Sequence, residues 1–251
     1  MAKSKTKTRT TTQSPSSPAP TLLPQTATAP SSPRRSLLQQ TSKFLNTTAG
    51  LDLSLRLIHG LVIISAQASS HELVATRSVI ASWQLNLARR YLRFFVLFDC
   101  IQNVLDTAGR EYASLAYKTL DLVEWSCLLL YFALENLTML HDMKIHVVPW
   151  YTPVLVEANK FWFYAILASI VRTVVQRAGI FSGTVKPSKS GKKQALQSRP
   201  PPPLRRLVID VLDLTLPASF IGWVALDDVT VGCFMTLSTI LVWQDVWAKA
   251  Q

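Results

Sequence analysis

The chain has 251 residues, 49% hydrophobic and only 16% charged, with a mean hydropathy of +0.22. An average soluble domain carries roughly 25% charged residues, so this balance points to a membrane. The net charge of +11 comes from two acid-free segments, residues 1–50 (Lys3, Lys5, Lys7, Arg9, Arg34, Arg35, Lys43) and 179–206 (Lys186, Lys189, Lys192, Lys193, Arg199, Arg205, Arg206), not from a folded basic face, which argues against a nucleic-acid partner.

Such segments suit the neighbourhood of an anionic leaflet. Cys100, Cys127 and Cys233 are far apart and form no CxxC, so they read as free thiols, not as a disulfide framework.

Residues 1–36 are rich in Ser, Thr, Pro, Lys and Arg and nearly devoid of large apolar groups. They cannot bury enough surface to offset ordering, so a disordered tail is expected. The segment shares its acid-free, Arg- and Ser-containing composition with transit peptides, but prolines from Pro15 to Pro33 break any amphipathic helix. It has no apolar core of a secretory signal. Ser14-Pro15, Ser17-Pro18 and Ser32-Pro33 are candidate proline-directed phosphorylation sites, where added negative charge would counter the tail's basicity.

Residues 43–68 read as one helix, with Leu51, Leu55, Ile58 and Val62 on one face, Thr47 or Thr48 as N-cap, and Gly60 as a weak point. Asp52 suits the positive end of a helix that starts there. The apolar run 57–64 is too short to span a bilayer. His59 reads as a packed or interfacial histidine, because no second histidine stands at i+3 or i+4.

The most informative stretch is 83–106, inside a helix that starts as early as His71 or Glu72 and ends near Gly109. At 3.6 residues per turn Trp83, Leu87, Phe94, Phe98, Ile101 and Leu105 share a face and Tyr91 borders it. Asn86, Arg89 and Arg93 lie on another, with Arg90 between. Aromatic bulk opposed by arginines fits a helix lying in a membrane interface; it equally fits a bundle helix with a basic edge.

Residues 111–143 form a third helix with Tyr117, Asp121, Glu124, Tyr131, Glu135, Thr138 and Asp142 on one stripe. Carboxylates are costly in hydrocarbon, so an amphipathic helix is expected here and not a span. The acidic stripe either faces the cytosol or meets Arg89 and Arg93. Asp121 and Glu124 lack a nucleophile, metal ligand or Gly-rich loop beside them, and His141 and His146 have the wrong spacing for two helical ligands. Neither catalysis nor a metal nor a cofactor is therefore expected. Pro149 and Pro153 bracket a break. The apolar helix 154–178 follows, with eleven uncharged residues from 161 to 171 and cationic ends, and reads as interfacial or bundle helix.

Residues 179–203 are a linker ending in a stiff polyproline rod. Residues 204–251 form an apolar hairpin, turning at Asp227-Asp228; 229–244 is the best span candidate, and Trp243 and Trp247 suit an interfacial belt. The layout is thus a tail (1–36), an amphipathic helical region (37–178), a linker (179–203) and a C-terminal anchor (204–251), in an all-α, membrane-associated helical bundle.

The run Phe44-Leu45-Asn46-Thr47-Thr48-Ala49-Gly50-Leu51-Asp52, with Leu55-Arg56-Leu57-Ile58 after it, resembles the N-terminal signature of the peroxin-11 family of peroxisomal membrane proteins. The arginine-bearing helix around residues 87–94, the acidic-aromatic helix around 128–136 and the apolar pair from 207 to 243 resemble it too. The likeness is closest to fungal C-type members; the proline-rich tail and the polyproline segment depart from it.

The resemblance implies a non-enzymatic protein of the peroxisomal membrane, its bulk and tail facing the cytosol. An amphipathic helix, here by position residues 73–105, bends and elongates the membrane before fission. Trp83, Leu87, Tyr91, Phe94 and Phe98 would insert, and Arg89, Arg90 and Arg93 would contact phosphates. The implied partners are anionic membrane lipids, further copies of the chain, a fission adaptor with its dynamin-like GTPase, and the import receptor for peroxisomal membrane proteins. The residues alone leave open a small polytopic pore or transporter, with spans at 119–140 and 154–178, and a soluble helical scaffold.

Overall fold

The computed structural model describes residues 37–112, 114–178 and 203–250. The expectations for the 1–36 tail and for 179–202 lie outside them. Among the described residues there are eight helices and no strand: α1 (Leu37–Leu45), α2 (Thr48–Ala68), α3 (Glu72–Arg93), α4 (Val96–Gly109), α5 (Leu115–Asp142), α6 (Tyr151–Arg177), α7 (Pro203–Ile221) and α8 (Asp228–Ala250). The all-α bundle expected from sequence is what forms.

Two expected helices are divided. The 43–68 helix breaks between α1 and α2, where Thr47 takes an extended backbone as N-cap. Its hydroxyl accepts from the Gly50 amide at 3.0 Å and donates to the Phe44 carbonyl at 2.7 Å. The 71–109 helix breaks at Phe94 and Phe95, between α3 and α4. Elsewhere local chemistry sets the ends. Pro203 opens α7, where its missing N–H is harmless. Asp227 caps α8 by accepting from the Thr230 amide at 3.1 Å.

The helices close into a ring of antiparallel neighbours. α2 lies against α3 (His59 Nε2 to Ser82 Oγ 2.9 Å), and α4 and α5 run side by side, Lys118 donating to the Ala108 carbonyl at 2.7 Å. Tyr131 of α5 stacks on Trp162 of α6 at 5.4 Å. Ser169 of α6 bonds Asp210 of α7 at 2.8 Å, and Arg205 of α7 bonds Asp245 of α8 at 3.1 Å. α8 returns to α2, with Gln67 donating to Asp228 at 2.8 Å. Phe44 of α1, 1% exposed, is held between Trp243 and Trp247 at 4.6 and 5.2 Å, so these tryptophans bind α1.

The polarity of the bundle is inverted relative to a soluble one. Buried side chains include Arg89, Arg90, Asp121, Glu124 and Glu135, while Leu61, Ile80, Trp83, Leu137 and Ile240 are exposed. The apolar core proper is small: Cys100, Tyr131, Phe132 and Ala158 at the α4–α5–α6 junction. Four helices are long and apolar enough to cross a membrane: α2, α5, α6 and residues Asp228–Ala248 of α8. By length and composition α2, α5 and α6 therefore qualify as candidate spans, where the sequence reading favoured shorter or amphipathic helices. The apolar stretch of α2 extends beyond 57–64, and the α5 carboxylates all turn inward onto arginines, leaving an apolar outer side.

Gly60, expected to be a weak point, is a contact surface. A Cβ there would lie 2.4 Å from the Thr236 hydroxyl, and one on Gly232 would lie 2.9 Å from Ile64 and 3.1 Å from the Gly60 carbonyl. The absent side chains let α2 and α8 approach backbone to backbone. Gly232→Leu should lower stability by about 1–3 kcal/mol through overpacking. Gly109→Ala, with nothing within 4 Å, should leave it unchanged. Thermal unfolding of both variants in detergent, followed by circular dichroism, checks the contrast.

Candidate membrane-contact site

The α3–α4 break contains neither Gly nor Pro, so its cause lies in tertiary contacts. Asn136 of α5 donates its side-chain amide to the Phe94 carbonyl at 3.1 Å. The Phe98 amide, which an unbroken helix would direct to that carbonyl, bonds Phe95 instead, at 3.0 Å. The tighter turn rotates Phe95 outward. Phe94 and Phe95 meet edge to face at 5.2 Å, and Phe95 stacks on Phe98 at 6.3 Å. The result is an exposed aromatic ridge: Phe95 is 69% exposed, Phe98 60% and Phe94 39%. Trp83, Tyr91, Leu73 and Ile80 of α3 and Leu105 of α4 add to the exposed apolar surface, with Leu87 half-buried among them.

The arginines of the same helix point the other way. Arg90 is almost fully buried: it pairs with Asp142, donates to the Glu135 carbonyl at 2.7 Å and to the Thr138 hydroxyl at 2.5 Å, and lies 3.4 Å from the Glu135 carboxylate. Arg93 reaches the same carboxylate at 3.3 Å, and Tyr131 donates to it at 3.0 Å. Tyr151 donates to Asp142 at 2.6 Å. Arg89 turns to α2 and pairs with Asp52 at 3.1 Å. Burial, and then the positive charge of Arg93, lower the Arg89 guanidinium from its usual range to about 10, against the pull of Asp52. Between the two sequence readings of the α5 stripe, the inward one describes the molecule: Arg90 and Arg93 meet it, and Arg89 does not.

The proposed contact residues thus divide. Trp83, Tyr91, Phe94 and Phe98 lie at the surface; Arg89, Arg90 and Arg93 are held by carboxylates. Sequence reasoning left Phe95 off the aromatic face, because a continuous wheel places it elsewhere and no residue signals the break. It also did not foresee the inward pairing of Arg56 and Arg172. Arg56 pairs with Asp213, and Arg172 clamps Asp121 and Glu124, the latter at 2.8 Å. Among the described residues no group of three or more His, Cys, Asp or Glu could hold a metal ion; His141 stacks on Tyr151 and accepts from the Val148 amide at 3.1 Å.

Glu135 joins Arg90, Arg93 and Tyr131, so Glu135→Ala removes the carboxylate partner of part-buried Arg93 and leaves buried Arg90 with Asp142 alone. Unfolding in detergent should show a loss of about 3–5 kcal/mol. Arg110→Ala removes a pair whose partners are both more than half exposed, Arg110 and Asp106, and should change stability by less than about 1 kcal/mol.

The sequence model of the family described as Peroxisomal biogenesis factor 11 (PEX11) matches residues 38–247. No curated protein and no solved structure matches. The matched span runs from α1 into α8 and takes in the aromatic ridge and every ion pair above. The chain belongs to the peroxisomal biogenesis factor 11 family, and is a protein of the peroxisomal membrane that serves in peroxisome biogenesis.

Proposed function

We propose that the protein remodels the peroxisomal membrane by seating the aromatic side of α3 and α4 in the cytosolic leaflet, bending and elongating the organelle ahead of fission. The observation that carries this reading is the exposed ridge of Phe94, Phe95 and Phe98 at a helix break, continued by Trp83 and Tyr91. Bulky rings at headgroup depth expand one leaflet, and binding scales with the apolar area buried. The inward ion pairs support this reading, because they turn Arg89, Arg90 and Arg93 away from the aromatic side of α3. In a second, leaflet-bound arrangement Arg89, Arg90 and Arg93 would exchange carboxylates for lipid phosphates, chemistry that suits the bidentate guanidinium equally well.

In this reading α7 and α8 help anchor the chain, while the basic tail (1–36) and linker (179–203) lie on the cytosolic side near anionic headgroups. Copies of the chain would assemble along the bent membrane and gather a fission adaptor with its dynamin-like GTPase; the import receptor for peroxisomal membrane proteins would deliver it.

Full-length protein reconstituted into anionic vesicles should tubulate them, as seen by negative-stain microscopy. Phe94→Glu with Phe98→Glu should abolish tubulation while leaving helicity unchanged. Vesicles that stay spherical with the unmodified protein would sink the proposal.

A further inference from the structure

Six helices line a partly open cavity of about 380 Å³, within the range of sites that take small ligands. Its two sides differ in chemistry. α2 and α3 present polar groups, Asp52, Arg56 and His59 from one and Asn86, Arg89, Arg90 and Arg93 from the other. The helices from α5 to α8 face them mainly with apolar groups, among them Leu128, Leu155, Leu216, Phe220 and Met235. A cavity with guanidinium N–H groups along one wall, their charge balanced by carboxylates, and apolar groups along the other matches a molecule with a polar head and an apolar chain.

The polar wall holds unused donors. Each guanidinium offers five N–H groups. Arg89 engages Asp52 through Nε alone, and Arg93 uses Nε on the Arg89 carbonyl and one terminal nitrogen on Glu135. His59, 8% exposed, bonds Ser82 through Nε2, and its buried Nδ1, a donor in the tautomer whose Nε2 accepts from Ser82, has no partner. Four arginines are matched in charge by Asp52, Glu135, Asp213 and neighbouring Asp142. The carboxylates satisfy the charge of that wall but not its donors.

We propose that this cavity binds a single-chain amphiphilic oxyanion: a carboxylate or phosphate monoester headgroup on an acyl chain. The headgroup would take the open donors around Arg89 and His59, leaving the Arg89–Asp52 contact through Nε in place. The chain would lie along Leu128, Leu155, Leu216 and Met235, removing that apolar wall from water. An inorganic anion would leave this wall wet, and a neutral lipid would leave the donors unmet. The site lies inside the ring, apart from the outer aromatic ridge, and shares Arg89, Arg90 and Arg93 with the leaflet-bound arrangement proposed above, so binding by the protein in detergent tests it without any vesicle.

The test uses the full-length protein in non-ionic detergent with radiolabelled laurate and, separately, lysophosphatidate. Saturable binding of one or both is expected; laurate alone identifies a carboxylate headgroup, lysophosphatidate alone a phosphate. Equal concentrations of lysophosphatidylcholine or inorganic phosphate should not displace the probe. Leu155→Trp, which fills the apolar side and touches no ion pair, should weaken binding at least tenfold. Asp52→Asn with Arg89→Gln, which removes a charge pair without stranding either partner, should do the same. If the double variant does not fold, Leu155→Trp decides. The proposal is overturned by no saturable binding of either probe, by displacement with inorganic phosphate alone, or by folded Leu155→Trp binding as tightly as the unmodified chain.

Discussion

Charge neutralisation across the ring is the constraint on which the rest of this structure depends. Glu135 accepts from Tyr131 and draws Arg90 and Arg93 of α3 to α5. Arg56 reaches Asp213 and, at 2.9 Å, the Ser238 hydroxyl, tying α2 to α7 and α8. Arg172 and Arg206 gather Asp121, Glu124 and Asp210 where α5, α6 and α7 meet. Each group alone would be expensive away from water. Paired, they allow helices that cannot be uniformly apolar to present an apolar outside. Such pairs contribute less to net stability than to the choice of arrangement, because a slipped helix leaves its ions unpaired.

That constraint also explains how the same helices serve two surroundings. α3 is amphipathic in an unusual sense: the residues it buries are Arg89 and Arg90. Its aromatic side needs no protein partner, and among the described residues Trp83 is 72% exposed. Where α3 gives way to α4, Asn136 holds the Phe94 carbonyl, so the bend is set from α5 and not by local flexibility. The ridge is therefore a product of packing against α5.

Much of this could be read from the sequence, for physical reasons that can be named. Helix identity follows from periodicity, and the caps at Thr47 and near Gly109 follow from short-range chemistry. The inward course of the α5 stripe was one of two options, because a wheel shows that groups share a face but not what faces them. Arg89 went to Asp52, 37 residues earlier, where the same wheel also offered α5. The break at Phe94 carries no local signal, since its cause is a side chain 42 residues away. Gly60 looked weak because helix propensity counts only the helix; its value lies in the neighbouring helix at Gly232.

The Arg56 contacts bear on how the chain reaches a membrane. They join residues 157 and 182 positions apart, and the ring closes only when α8 returns to α2. While the chain is being made, α2 emerges early with Arg56 lacking both partners, and Asp213 and Ser238 come last. Contacts this distant in sequence form late and slowly. A helix threaded into lipid as it is synthesised would carry an unpaired guanidinium into hydrocarbon. The charges of the fold are thus balanced only once α2 is joined by α7 and α8.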